Sequence, residues 1–78
     1  MPTKQPQPLV YVTDIHDGVE HSWVTVIVTE SPRCFYVLDP FGVTIRRYKT
    51  SVVPVMHGTE QLHGIVSVVD GMLAIEAV

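Results

Sequence analysis

Only one cysteine stands among the 78 residues, so no internal disulfide can form and nothing in the chain asks for an oxidising compartment. A cytoplasmic location is expected. Charge is scarce too. Charged residues make up 17% of the chain and the net charge is −3, which argues against strong non-specific attraction to nucleic acid while leaving room for a local basic patch. No run approaches the roughly 18 apolar residues of a membrane span, and the N-terminal stretch MPTKQPQPL lacks the apolar centre of a secretory signal. No membrane association is expected.

Helical periodicity is also missing. No segment repeats apolar residues at i, i+3, i+4 and i+7 over three turns. The motifs of common active sites are missing with it: there is no HxH or HExxH, no cysteine knuckle, no GxSxG elbow and no glycine-rich phosphate loop. The chain is therefore expected to be non-enzymatic and to carry no metal or other cofactor.

What the chain has instead is apolar content and turns. At 46% apolar, it is too hydrophobic to stay disordered. A single domain of this size removes only about 60–65% of its unfolded surface from water, so self-association is an expected source of added stability. Residues 1–8 alternate prolines with polar residues and read as an extended tail. Residues 9–78 read as the domain.

Within that domain, residues 9–30 form two strands around Asp17-Gly18, a dipeptide suited to the positive φ angles of a type I′ turn. That turn fixes a register of Leu9 opposite Val26, Tyr11 opposite Val24, Val12 opposite Trp23 and Asp14 opposite His21. Period-two alternation then places Leu9, Tyr11, Val24, Val26 and Val28 on one face, taken as the core face. Val10, Asp14, His21, Trp23, Thr25 and Thr29 share the other.

Residues 34–38 (CFYVL) give a short strand. Asp39-Pro40-Phe41-Gly42 has the residue order of a type I turn, and residues 43–50 return from it. Residues 52–56 are apolar enough for a strand, but Pro54 cannot donate to a ladder and confines them to an edge. A loop at residues 57–61 follows, although Thr59 to Leu62 could close one helical turn. Asp70-Gly71 then repeats the first hairpin's device, setting Val68 opposite Leu73 and Val66 opposite Ile75. Six or seven short strands in one all-β antiparallel domain close most economically as a small barrel of SH3-like or OB-like size, with a two-layer β-sandwich as the alternative.

The side chains that could carry chemistry also have plainer roles. His16, His21, His57 and His63 are spaced without a ligand motif, and Asp14 with His21 reads as a cross-strand pair. Cys34 has only Arg33 beside it and reads as a small buried hydrophobe rather than a nucleophile. Trp23, with Val12 beside it and a polar surround, has the composition of an interface anchor. Arg47 and Lys49 join these two as expected partner contacts.

The function expected first is protein–protein interaction by a small β-domain, with a second copy as one possible partner. The alternative is a single-stranded nucleic-acid-binding barrel, using aromatic stacking and a basic track from Tyr36, Arg46, Arg47, Tyr48 and Lys49. A structural or accessory protein of a virus or mobile element is a third reading that composition does not separate from the others.

Overall fold

Two Asp-Gly reversals set the plan. In the computed structural model, which describes residues 5–78, Asp17 and Gly18 take φ of 52° and 75°, and Asp70 and Gly71 take 53° and 74°. These positive angles match the right-handed twist of the strands that they join. The first turn links β1 (Gln7–His16) to β2 (Val19–Glu30) in the expected register, with Leu9 opposite Val26, Val12 opposite Trp23 and Asp14 opposite His21. The expected tail, residues 1–8, lies partly outside the described residues, and β1 already includes Gln7 and Pro8.

Ser31 closes the next reversal, donating its N–H to the Cys34 carbonyl and accepting the Cys34 N–H on its hydroxyl. β3 (Cys34–Leu38) follows. Asp39 organises the turn after it: its carbonyl accepts from Gly42, and its carboxylate accepts from the N–H groups of Phe41 and Val43. β4 (Thr44–Tyr48) is shorter than the expected return strand, because a 3-10 turn at Lys49–Ser51 takes over its end. β5 (Val52–Pro54) pairs with β1 alone, the edge placement that Pro54 requires. The following loop is a miniature ribbon of β6 (Met56–His57) and β7 (Glu60–Gln61) rather than a helical turn. β8 (His63–Val69) and β9 (Met72–Ala77) form the last hairpin in the expected register.

The class is all-β, in one bent antiparallel sheet of order β4-β3-β2-β1-β8-β9 with β5 also on β1. The expected closed barrel is not found. Among the described residues, β4 and β9 end the ladder without a strand on their outer sides. The two ends of the ladder touch where the β8–β9 hairpin meets the turn before β4: Leu73 donates to the Pro40 carbonyl and Val68 packs on Gly42.

The core face corrects the expectation. The buried cluster is Val10, Val12, Val37 and Val52, with Trp23, Ile27, Phe35 and Ile45 packed against it. That is the face of Trp23 and Thr25, while Tyr11 and Val28 on the face expected inside are about half exposed. Leu9 and Val26 are buried on that second face, close to where β8 meets β1. The reason is curvature: β5 folds Val52 back beside Val12, and β-branched side chains fill the concave side. A count of apolar residues per face cannot register which way a sheet bends.

Candidate functional site

The expected contact residues part company in three dimensions. Val12 has no exposed surface, so it belongs to the core and not to a partner surface. Trp23 is half-buried, packs on the same cluster, and donates its indole N–H to the Leu38 carbonyl at 2.9 Å. A buried indole needs such an acceptor. It fixes the ring against β3, so Trp23 is first a core residue that stays partly exposed.

Arg47 and Lys49 both turn to the Trp23 face and both are engaged. The Arg47 guanidinium pairs with Asp14 through Nη2 at 2.5 Å and donates through Nη1 to the Arg46 carbonyl at 2.7 Å. Lys49 sits 4.9 Å from the centre of the Phe35 ring and 2.7 Å from Glu30. Asp14 is His21's neighbour across the hairpin, yet its carboxylate turns to Arg47. The Arg47 guanidinium, chiefly by its hydrogen bond, holds the Asp14 carboxyl below its ordinary value against the opposing effect of burial.

The residues of the nucleic-acid reading split as strand alternation demands. Tyr36 stands directly opposite Arg46, and Tyr48 lies two residues further along the same face. Arg47 and Lys49 are on the other side.

What the structure assembles is a seam. β5 accompanies β1 only as far as Val12, so the β1 edge beyond it has no strand partner among the described residues. The outer edge of β4 has none either. Between them lies a groove of about 500 Å³ lined by Thr13, Asp14, Ile15, Cys34, Arg46, Arg47, Tyr48 and Ser51. The Arg47–Asp14 pair crosses this seam and borders a second groove of about 470 Å³, where Trp23, Phe41, Pro40 and Ile45 meet His16, His21 and Asp39.

Sequence reasoning missed the seam, because Asp14 and Arg47 are 33 positions apart and no local pattern links them. Cys34 is buried on its wall as a free thiol. Among the described residues, no three His, Cys, Asp or Glu side chains gather as a metal site would require. None of the helices there is long and apolar enough to cross a membrane. No family model, curated protein or solved structure matches this chain.

Proposed function

We propose that this chain is a small non-enzymatic β-domain that works by protein contact, with self-association included in that reading. One observation carries it. Among the described residues, fourteen large hydrophobics are exposed while seven hydrophobic residues are buried. Some of the exposed ones are neighbours: Tyr11 stands beside Val53 across β1 and β5, and Val69 faces Met72 at the tip of β8–β9. Contiguous apolar surface on a small protein is the usual mark of an interaction site.

A single-stranded nucleic-acid reading keeps one supporting feature, the Tyr36, Arg46 and Tyr48 group on one face of β3 and β4. It loses Arg47 and Lys49 to ion pairs, which leaves a short basic track. The two readings respond oppositely to salt, since phosphate contacts weaken steeply with ionic strength and apolar contacts do not.

The test is sedimentation of the chain over a wide concentration range, beside capture of proteins on the immobilised chain and oligonucleotide titration, each at low and high salt. Expected are a concentration-dependent mass or a reproducible protein partner, retained at high salt. A constant monomer mass with no protein retained would sink the contact reading. Salt-sensitive oligonucleotide binding would put the alternative in its place.

A further inference from the structure

Resting on the contact reading above, we propose that the seam between β1 and β4 is a strand-addition site. Its occupant is an extended segment of a partner protein that places a carboxylate opposite Arg46.

The backbone supplies the first argument. Asp39 donates its N–H to Val43, and Lys49 donates its own to Arg33. These bonds point the odd-numbered residues of β4 toward β3. Because an antiparallel ladder alternates, Thr44 and Arg46 turn their backbone groups away from β3, and of these two Arg46 lines the groove, while Tyr48 caps the 3-10 turn that follows. With no strand outside β4 among the described residues, the outward Arg46 N–H has no ladder acceptor, and the Arg46 carbonyl is met by the Arg47 side chain. That guanidinium also reaches Asp14 on β1. One side chain thus bridges two strand edges and satisfies one backbone carbonyl, the work that an intervening strand would do along its whole length. Exposed edges are taken up by added strands, with backbone bonds giving affinity and alternate side chains giving specificity.

Charge supplies the second argument. Around the groove, Arg46 and Arg47 face the single carboxylate of Asp14, so the seam keeps one surplus positive charge on a chain whose net charge is −3. Arg46 carries it, since Arg47 is already paired and Arg46 is exposed. Ile15 and Tyr48 stand at the rim, 72% and 64% exposed. Tyr48 lies two residues from Arg46 on one face of β4. The fitting segment is therefore extended, with an acidic residue and an apolar residue two positions away.

The test is a titration of the full chain with an end-blocked heptapeptide that alternates valine with threonine around one central glutamate. A control peptide has lysine in place of that glutamate. Expected are saturable binding of the glutamate peptide, slowed amide exchange at Arg46, and at least tenfold weaker binding of the lysine peptide. Arg46→Glu should reverse that preference. Arg46→Pro removes an outward N–H and no bond within the chain, so it should abolish binding and leave the fold in place; the Arg46→Glu result keeps the test decisive if the proline variant unfolds. Equal affinity for the two peptides, unchanged exchange at Arg46, or preference for an oligonucleotide would overturn the assignment. If a protein contact of the full chain survives Arg46→Glu, the seam proposal falls and the contact reading stands.

Discussion

The hairpins β1–β2 and β8–β9 are built on the same dipeptide with nearly the same turn angles, and they end in different situations. The β1 strand is flanked on both edges, by β2 on one and by β5 and β8 on the other, and Val10 and Val12 are sealed within it. The β9 strand is flanked on one edge, and at the tip of its hairpin Val68, Val69 and Met72 are each at least half exposed. A two-residue turn settles which residues stand opposite each other, because register follows from the backbone of four neighbouring residues. It settles nothing about what covers the resulting faces. That depends on strands that arrive from elsewhere in the chain.

The two hairpins should differ most at their valines. Val12→Ala removes two buried methyl groups from the centre of the cluster, a loss of about 2 kcal/mol with the residual cavity included. Val69→Ala removes the same two groups from a side chain 56% exposed, and the expected change is within about 0.5 kcal/mol. Urea unfolding of the two variants measures the difference. Equal losses would mean that the two hairpins share one core after all.

The turn glycines should show a smaller difference. An added Cβ would meet nothing within 4 Å at Gly18 or at Gly71, so valine at either position is costly through φ alone, by about 1–2 kcal/mol. In the central hairpin the whole cost should appear in global stability. In the peripheral one the chain can open the tip of β8–β9 locally and relieve part of the strain. Gly18→Val is therefore expected to lower the unfolding midpoint more than Gly71→Val. Gly71→Val should instead speed amide exchange around Val69 and Met72, and equal midpoints with protected tip amides would contradict the assignment.

The same division explains what could be read from the chain before its structure. Both Asp-Gly registers, the Asp39-Pro40-Phe41-Gly42 turn and the edge placement of Pro54 were legible, because each depends on residues adjacent in sequence. The core face was not. Val10 and Val12 share a face with Asp14, His21 and Thr25, whose polar side chains made it look like the outside. Asp14 and His21 are indeed near the open end, whereas Thr25 is buried with its hydroxyl unpartnered, a departure that no periodicity argument foresees. The seam was hidden for a related reason: it exists only because the sheet bends β4 toward the end of β1.

The smallest expected effect concerns the tie that spans this bend. Asp14 belongs to the central hairpin, and Arg47 holds its carboxyl below the ordinary value in the folded chain. A carboxyl depressed in the native state contributes stability that is fully present above its unfolded value and is lost as pH falls through its folded value. Both side chains are about a third exposed, at 30% for Arg47 and 39% for Asp14, so water screens the pair and its contribution is at most about 1 kcal/mol. Acidification through that range should therefore loosen the seam before it unfolds the sheet, with faster exchange at residues 13–15 and no matching change in β8–β9. Asp14→Asn should remove the dependence, leaving the variant less stable than the parent at neutral pH and equal to it once Asp14 is protonated. A parent and variant whose stabilities stay parallel from neutral to acid pH would show that the Arg47 contact adds nothing to the folded state, and the seam would then be held by its flanking strands alone.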